Sequence, residues 1–582
     1  EPINLVFNSA LTANSSDTPD VTNSGNQWAT FLLGALDAQT SARLVPLQEP
    51  DLLSYAAYYQ DDWTFSDKLT LNVGLRWEFE PGATDPLNRI SQRLDLTSPI
   101  PEMQGAGAPV MPAQATQLLA SKNYSYLYNG QWVFANEGSP YAWSTSKTNF
   151  MPRLGAAYRL DDKSVARFGY ARFLMPISQV RDTLGDFVNQ YTGFAQTTTT
   201  LGLANGNPQQ RLANPYPANN PVIEPYGQAY GRYTGLGGAV SLDQNQLRPQ
   251  INDRLNFSYQ REIWFKTIFE GSYFLNFGTR VPYDLNLNMM DPAYRYEQKT
   301  LINTQVANPF RNYLTVDKFP GQQRNSATVP LSALLVPYPQ YGTITQTNTN
   351  GKKLNTQTIE LRGQRPFRKG FSVLVAYAYN RERIQQWFDD IANYKVLRSG
   401  GEDGWEWRPT DTPVNRLTSA FSWQLPVGKG QAVGTDWNTA LDSVLGNWQY
   451  TAAGRFYSGR PVFFNTSYVV SGNPKLSSPT NDKWFDTSKF AVQDSFTARS
   501  NPYYYSGLNG PSAYFTDMTL TKMFNLNSTK RIEARIEAYN VLNMIVWDQP
   551  EVNLSSANFG KVTRKRVDGQ GREIQIGVRF VF

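Results

Sequence analysis

The chain has 582 residues and contains neither cysteine nor histidine. The absence of cysteine excludes a disulfide framework, a thiolate metal site and a cysteine nucleophile. The absence of histidine excludes an imidazole base, a Ser-His-Asp triad and imidazole metal ligands. We therefore predict no enzymatic activity and no cofactor.

Long apolar runs and dense charge are also missing. The mean hydropathy is −0.47, and no run of about 18 apolar residues provides a membrane-spanning helix. Charged residues make up 18% of the chain, below the usual quarter. The net charge of +6 is spread along the chain without a Lys/Arg block, so nucleic acid is not an expected partner. Residues 1–4 carry no signal-peptide pattern, and we expect a mature form or a fragment.

Aromatic residues and alternating segments are what the chain has instead. Aromatics reach 14%, with 33 Tyr, 32 Phe and 14 Trp. In the segment 68–80, apolar side chains at every second position alternate with Thr, Asn, Gly, Arg and Glu, and 531–542 and 572–582 repeat the pattern. About ten residues of this kind form a tilted strand that crosses a bilayer with its apolar face outward.

Connection lengths give the architecture. We predict thirteen strands, at 53–65, 68–80, 150–160, 164–174, 251–263, 265–277, 353–365, 370–380, 414–425, 447–458, 513–524, 530–542 and 572–582. The connections alternate between short and long. We therefore predict one all-β domain over 1–582, a transmembrane antiparallel outer-membrane β-barrel with short periplasmic turns and long extracellular loops. Residues 1–52 are interpreted as a further extracellular loop with a short helix around 28–36.

The count of strands does not close a barrel. Thirteen strands leave the first and last parallel, whereas an antiparallel bacterial barrel needs an even number, about fourteen here. An open edge in lipid leaves backbone groups unpaired. We expect that at least one upward strand is missing or lies in Ile3–Ala10, and that an N-terminal plug and the first strands are absent from this chain.

The C-terminus carries the most specific motif. The ending QIGVRFVF at 575–582 fits the pattern polar-x-Gly-x-x-aromatic-x-aromatic through Gln575, Gly577, Phe580 and Phe582. This resembles the β-signal that the barrel assembly machinery reads, in which a terminal strand pairs with an open edge and its aromatics lie at the lipid boundary. Chance similarity of an ordinary terminal strand is the alternative.

The long loops offer candidate ligand sites. The aromatic candidates for stacking on a ligand are Trp405, Trp407, Tyr503, Tyr504 and Tyr505, with ordinary loop packing as the alternative. The oxygen-rich candidates for a weak Ca²⁺ site are Asp389, Asp390, Glu402, Asp403 and the nearby Asp411. No EF-hand spacing is present, which favours a solvated acidic loop over a Ca²⁺ site. The carboxylates of Glu533 and Glu537 alternate with Arg531 and Arg535, which favours a charge ladder on the lumen wall over a glycosidase pair. The Gly235–Gly238 stretch is interpreted as loop flexibility, because no Gly-Lys-Ser/Thr follows it.

Three stretches resemble one family. YYQDDW at 58–63 with LTLNVGLRWE at 69–78 looks like a hairpin of TonB-dependent receptors, IEAYNVLN at 536–543 resembles their penultimate strand, and FGKVT at 559–563 with the terminal strand is similar to the ending of Oar-like receptors, which carry a carboxypeptidase-regulatory-like domain. The resemblance covers nearly the whole chain, apart from the loops. It implies a 22-stranded barrel, an N-terminal plug and uptake powered through TonB. No TonB box or plug is found in these residues.

Three functions compete. The first is a TonB-dependent transporter for a large or scarce ligand in the Gram-negative outer membrane. Its expected partners are the lipid and lipopolysaccharide of that membrane, the assembly machinery, TonB through the missing plug, and a ligand that no motif identifies. The second is a passive channel or surface adhesin of about fourteen strands. The third is a soluble β-rich carbohydrate-active protein.

Overall fold

A computed structural model describes residues 3–12, 25–37, 39–44, 49–177, 191–201, 203–204, 207–218, 220–387, 405–497, 499–527 and 529–582. Within these ranges one large sheet dominates. Its thirteen successive strands are β1 (Tyr55–Ser66), β2 (Leu69–Phe79), β3 (Asn149–Asp161), β4 (Ser164–Met175), β5 (Gln250–Glu262), β6 (Ile268–Asn286), β7 (Ile344–Arg368), β8 (Phe371–Trp387), β9 (Asn415–Gln424), β10 (Trp448–Tyr457), β11 (Ala513–Asn525), β12 (Arg531–Tyr539) and β13 (Glu573–Val581). Each strand pairs antiparallel with the next one along the chain.

The thirteen predicted strands are confirmed one for one. Alternation produces them, because successive side chains of a strand point to opposite faces. Three strands are longer than predicted: β6 extends to Asn286, β7 begins at Ile344 and β8 extends to Trp387, beyond the segments predicted to cross the membrane. The added length carries two further strands of the same sheet, since Val240–Asp243 pairs parallel with β7 and Trp405–Pro409 pairs antiparallel with β8.

The alternation of short and long connections is also confirmed. The short connections are 67–68, 162–163, 263–267, 369–370 and 526–530, and the connection 425–447 on the same rim is longer because it contains a short helix. The turn at 369–370 has positive φ at Lys369 (51°) and Gly370 (72°), as a two-residue type I′ hairpin turn requires. The predicted strands 251–263 and 265–277 leave only Trp264 between β5 and β6, and this prediction is wrong. The connection is wider and contains a 3-10 turn at Trp264–Lys266, in which Phe265 and Lys266 have positive φ.

The sheet does not close on itself in the described part of the chain. Its path begins at β1 and ends at β13, and these two strands are not paired with each other. Residues Ile3–Asn8 have no regular structure and are followed by a 3-10 turn at Ala10–Thr12, so the prediction of a strand in Ile3–Ala10 is wrong. The backbone there bonds to the opening loop instead, through the N–H of Asp37 and the carbonyl of Val6 at 3.0 Å.

The long connections fold together into what we call the cap. Its described residues form eight two-stranded pairs: Gln39–Leu44 with Gln196–Thr200, Ser91–Pro99 with Asn129–Phe134, Ser144–Thr145 with Gln246–Leu247, Leu203–Ala204 with Asn207–Pro208, Gln305–Ala307 with Thr328–Pro330, Pro461–Phe463 with Tyr504–Asn509, Tyr468–Val470 with Phe490–Val492 and Lys475–Thr480 with Lys483–Phe485. Gln39–Leu44 pairs with Gln196–Thr200, which belongs to the β4–β5 connection. The opening stretch is therefore part of the cap.

Short helices complete the described chain. The α-helices are α1 (Gln27–Leu32), α2 (Ala113–Ser121), α3 (Pro292–Gln298) and α4 (Thr439–Leu445), and the 3-10 turns are Ala10–Thr12, Pro101–Met103, Gly105–Gly107, Gly231–Tyr233, Trp264–Lys266, Lys299–Asn303, Gln322–Asn325, Leu331–Leu334 and Thr487–Lys489. The helix predicted around 28–36 is thus present but shorter. It begins after Asn26, whose side chain accepts from the N–H groups of Trp28 and Ala29. None of the helices in the described ranges is long and apolar enough to cross a membrane.

The buried core lies in the cap rather than in the sheet. Of the described apolar residues that are buried, only Met151, Ile251, Ile344 and Ala513 belong to β1–β13. The cap has three clusters, built around residues such as Trp132 and Phe319, Trp143 and Phe194, and Phe464 and Phe485. On the sheet, apolar side chains such as Leu154 (48% exposed) and Phe257 (54%) remain uncovered. A face of this kind fits a hydrocarbon surrounding.

Candidate functional site

The strand faces have opposite chemistry. Across β6, β7 and β8 one row contains Tyr273, Ile359 and Tyr379. The adjacent row contains Ser272, Glu360 and Ala378. The rows alternate because the side-chain period of a strand is two. We call the apolar face outward and the polar face the inner wall.

The inner wall carries the predicted charge ladder. Arg531 Nε lies 2.7 Å from Glu533 Oε1, and Arg535 Nη1 lies 3.7 Å from Glu537 Oε1. Each carboxylate therefore has a cation on its own strand, and Arg579 of β13 lies opposite Glu533. The ladder prediction is confirmed by this pairing.

A cavity of about 920 Å³ lies on the cap-side half of the inner wall. Its main polar feature is a pair of guanidinium groups at one ring: Arg254 lies 4.9 Å and Arg153 5.5 Å from the centre of Phe173. Glu382 is at the far side of the lining. These arginines were not among the predicted site residues, although their positions on the polar face of alternating strands were a usable signal.

Three of the predicted ligand aromatics meet at a second cavity. Trp407, Tyr503 and Tyr504 line a space of about 500 Å³. It lies between β8 with its partner strand Trp405–Pro409 on one side and the β10–β11 connection on the other. Arg381, Arg383 and Arg408 also line it, and Glu382 is the acidic side chain among its described lining residues. The cavity is therefore cationic and aromatic, a combination that suits a planar or anionic group. A ligand role for these residues stays a prediction.

Tyr503 is held from both faces. The guanidinium carbon of Arg408 lies 3.3 Å and that of Arg499 lies 3.6 Å from the centre of its ring, and all three side chains are buried. Arg499 also donates to the carbonyl of Phe464 at 2.9 Å. With both faces covered by cations, the ring presents its edge to the cavity.

The other two predicted aromatics are placed differently. Tyr505 packs into the third cap cluster, 5.7 Å from Phe464, and burial raises the pKa of its hydroxyl. That position corresponds to loop packing. The backbone of Trp405 lies opposite Trp387 of β8, whereas the Trp405 side chain lies outside what the structure describes.

A third cavity, of about 850 Å³, lies within the cap. Its described lining contains tyrosine, threonine, glutamine, asparagine and glycine but no charged side chain, and includes Tyr226, Gln322 and Thr343. Neutral hydroxyls, amides and rings suit an uncharged polar ligand. This cavity was not predicted from the sequence, because its residues come from connections that are far apart in the chain.

The glycines beside this cavity pack closely, and the interpretation of Gly235–Gly238 as flexible is wrong. Gly237 has a φ of 77°, and a Cβ there would lie 2.3 Å from the Phe319 ring. The N–H of Gly321 donates to Leu236 at 2.8 Å, and that of Gln323 donates to Gly237 at 3.0 Å. Two backbones therefore cross where only glycine fits.

The acidic candidates do not form a described metal site. Asp389, Asp390, Glu402 and Asp403 lie outside the described residues. Asp411 is paired with Arg460 at 2.8 Å. Among the described residues no group of three or more acidic side chains could hold a metal ion.

The terminal motif lies at one end of the sheet. Gln575 and Gly577 are opposite Glu537 and Arg535, on the inner wall, whereas Phe580 is opposite Ile532 on the outward face. The rings of Phe580 and Phe582 are 5.8 Å apart, and Phe582 is 87% exposed. The other edge of β13 has no partner strand in the described ranges. This placement is what an assembly signal requires, and the role stays a prediction.

Comparisons with known proteins give the following matches. In solved structures, the chain is similar to the pyoverdine outer membrane receptor FpvA of Pseudomonas aeruginosa PAO1 (11% identity, 92% of this chain and 43% of that one, TM-score 0.37). It is also similar to the outer membrane transporter YddB of Escherichia coli (11%, 91% and 45%, TM-score 0.40) and the ferric-catecholate import receptor Fiu of E. coli K12 (11%, 92% and 45%, TM-score 0.38).

The chain thus spans less than half of the length of each of these solved structures. The comparison with curated sequences returned no match. A family model described as an outer membrane beta barrel domain matches residues 4–575. On this match over nearly its whole length, the chain belongs to the outer membrane beta barrel domain family.

Proposed function

We propose that this barrel is the membrane-embedded part of a receptor that captures a ligand with its cap and admits it to the lumen. The observation that carries the proposal is the cap itself. The long connections build three packed clusters on one rim, whereas the other rim has mainly short turns. A rigid, structured surface above a polar inner wall suits selective capture.

The cavities suggest a path for the ligand. The neutral cavity of about 850 Å³ lies in the cap, and the cavity of about 920 Å³ lies on the cap-side half of the inner wall. Arg153 and Arg254 at the second cavity would meet a polar or anionic part of the ligand. We infer a ligand with an uncharged polar body and at least one group that accepts hydrogen bonds from arginine.

We further propose that uptake is coupled to TonB. The hairpin at 58–78 and the ending at 559–582 resemble TonB-dependent receptors, and this resemblance supports a plug encoded ahead of these residues. Additional strands would then pair with the free edges of β1 and β13, since an open edge in hydrocarbon is unfavourable by several kcal/mol for each unpaired group.

A passive channel is the second candidate, because a polar inner wall would also serve diffusion. Vancomycin, which is too large for general porins, separates the two. Cells that produce the complete gene product should keep their resistance to vancomycin, since a plugged receptor is closed at rest. Removal of the plug alone, with the upstream strands of the barrel kept, should make the cells sensitive. Heat-modifiable migration in gels confirms in both cases that the barrel has folded.

Two results would contradict the proposal. Sensitivity of cells that produce the complete gene product would favour the passive channel. Continued resistance with a folded barrel that lacks only the plug would mean that no plug closes the lumen.

A further inference from the structure

One connection on the rim opposite the cap differs from its neighbours. The β9–β10 connection spans 425–447 and contains α4, whereas other connections of this rim, such as 369–370, are tight turns. The helix begins after Asn438, whose side chain accepts from the N–H of Leu441 at 2.9 Å, and it ends before Gly446. α4 is thus a capped helix that the chain builds where a turn would be enough to join the two strands.

Lys522 lies on the outward face of β11, near the same rim. It is two residues from Leu520, which lies opposite the outward Ile536 of β12. In the row of Lys522, the outward Val578 of β13 is 74% exposed, whereas Lys522 is only 4% exposed. Something other than the sheet therefore covers this lysine.

The C-terminal end of α4 provides the cover. Nζ of Lys522 donates to the carbonyl of Asp442 at 3.3 Å and to the carbonyl of Gly446. Trp448 lies opposite Lys522 on β10, and its indole N–H donates to the carbonyl of Val444 at 3.0 Å. A cation and an N–H donor thus meet carbonyls at the end of the helix where both are favourable. α4 is therefore attached to the outward face of the sheet.

Aromatic side chains surround this attachment. Trp423 of β9 and Tyr450 of β10 lie opposite each other on the outward face. Nζ of Lys522 lies 5.2 Å from the ring centre of Phe524 and 5.6 Å from that of Trp448. In membrane barrels, outward aromatic rings form a belt where hydrocarbon meets the headgroups. The attachment of α4 therefore lies at this boundary, in the leaflet opposite the cap.

α4 also presents an apolar stripe that no described residue covers. Leu441, Val444 and Leu445 are three and four residues apart, which places them on one face of the helix. Their exposed fractions are 45%, 64% and 47%. Asp442 points elsewhere, because its carboxylate accepts from the N–H of Lys429 at 2.6 Å. The polar side of α4 thus bonds to its own connection, and the apolar side is left for another partner.

We propose that Leu441, Val444 and Leu445 insert among the acyl chains of the leaflet opposite the cap, so that α4 is an interfacial anchor of the barrel. The stripe continues the outward face of the sheet, to which Lys522 and Trp448 attach the helix. A helix in the membrane interface places its apolar side chains about 5–10 Å into the headgroup and acyl boundary.

The size of the stripe favours lipid over a second copy of the chain. A specific contact between two proteins buries more than about 1,000 Å², and three side chains on a two-turn helix do not supply this area. The carbonyl partners of Lys522 also satisfy its charge, which a cation beside hydrocarbon requires. The anchor is separate from the cap and the cavities, and it does not depend on the proposed transport function.

The first test measures the depth of a fluorescent label. The complete gene product, with Val444→Cys as its sole cysteine, is labelled with NBD and reconstituted into vesicles of phosphatidylethanolamine and phosphatidylglycerol. Doxyl groups on the acyl chains of added lipid should quench the label and place it about 5–10 Å below the headgroups. Iodide on both sides of the membrane should quench it weakly. The matched control is Ser443→Cys, which lies off the stripe and should be quenched more strongly by iodide than by the doxyl lipids.

A second test concerns the attachment. Lys522→Met suits hydrocarbon but cannot donate to the carbonyls, so hydrogen exchange in the peptide 439–446 should become about tenfold faster. Lys530→Met removes an exposed lysine of the same rim and should leave this exchange unchanged. Heat-modifiable migration shows that each variant has folded, and the label depth decides alone where Lys522→Met does not fold.

Three results would overturn the proposal. Strong quenching by iodide at position 444, without quenching by the doxyl lipids, would place the stripe in water. Protection from both quenchers would assign the stripe to a contact between two copies. Unchanged exchange in a folded Lys522→Met barrel would mean that the lysine does not attach α4 to the lipid-facing surface.

Discussion

Single residues of the cap are fixed by interactions that its apolar clusters alone do not supply. Tyr503 lies between two guanidinium groups, and Asp85 accepts from Nε of Arg89 and from the N–H of Leu87. Burial favours the neutral acid at Asp85, but these hydrogen bonds outweigh burial and lower the pKa of the carboxyl group. Charge and hydrogen bonding thus define loop conformations that composition alone would suggest are irregular.

Asp95 gives a prediction on pH. The hydroxyl of Thr97 donates to its carboxylate at 2.6 Å, the hydroxyl of Ser98 at 2.8 Å and the N–H of Thr97 at 2.9 Å, and these bonds lower the pKa from 3.8 to about 2. A depressed folded-state pKa contributes stability above pH 3.8, and this stability is lost as the pH falls from 3.8 to about 2. We expect the hydrogen-exchange protection factors of the peptides 91–99 and 129–134 to fall as the pH is lowered across that window.

The variant Asp95→Asn tests the cause. It should exchange faster in these peptides already at pH 7 and should show a smaller change between pH 4 and 2. Glu137→Gln, at an exposed position of the cap, serves as the control and should behave as the unchanged protein. An unaltered pH response in Asp95→Asn would assign the effect to other groups.

At the scale of elements, each strand of the sheet separates two environments. Leu361 of β7 faces outward and is 44% exposed, and it lies opposite Gly271 of β6 and Tyr377 of β8. The neighbouring Ser272 of β6 lies on the inner wall opposite Glu360. A charge is therefore expected to have very different effects at positions that are adjacent in the sheet.

Leu361→Arg should destabilise the folded barrel by about 2–4 kcal/mol near the bilayer midplane, because hydrocarbon does not solvate the guanidinium group. Ser272→Arg should have a much smaller effect, because Glu270 and Glu360 share its face. The measurement is unfolding by denaturant in lipid bilayers. Equal losses of stability would contradict the assignment of the two faces.

The end strand gives a second prediction at this scale. Deletion of Phe582 should sharply lower the amount of heat-modifiable barrel in the outer membrane, because the terminal ring of the assembly motif is lost. Phe582→Tyr keeps an aromatic ring and should assemble normally. Equal amounts of folded deletion variant and unchanged protein would show that the terminal pattern is coincidental.

At the scale of the whole molecule, the chain consists of a lipid-facing sheet and a cap with its own cores. Membership of the outer membrane beta barrel domain family confirms the predicted fold class and the outer-membrane location. The cap contains almost all of the described buried apolar residues. The sheet and the cap therefore place their apolar side chains in different surroundings. Lipid covers the outward face of the sheet, whereas the loops cover one another.

This arrangement predicts the orientation in the membrane. The natural chain has no cysteine, so single-cysteine variants can be labelled specifically. On intact cells an impermeant maleimide should label exposed cap positions through Leu212→Cys and Ser506→Cys. It should not label the turn variants Asp67→Cys, Asp162→Cys and Lys369→Cys until the outer membrane is permeabilised. The reverse pattern would place the cap in the periplasm.

The sequence by itself determined the positions of the strands, their faces and the rim on which the loops are long. These features are local: a period of two and a turn such as 369–370 depend on neighbouring residues alone. It also indicated that the tyrosines at 503–505 belong to one site or one core.

Only the tertiary structure decided how the aperiodic loops are used. It directed Tyr505 into a core, placed Arg408 and Arg499 on the two faces of Tyr503, and made Gly237 a point of close crossing. Such contacts join residues that are far apart in the chain, and loop packing has no repeating pattern. The physical reason lies in what each pattern reflects. The alternation of polar and apolar residues along a strand reflects the surroundings of its two faces. The conformation of a cap depends instead on complementary shapes and charges that come together only after folding.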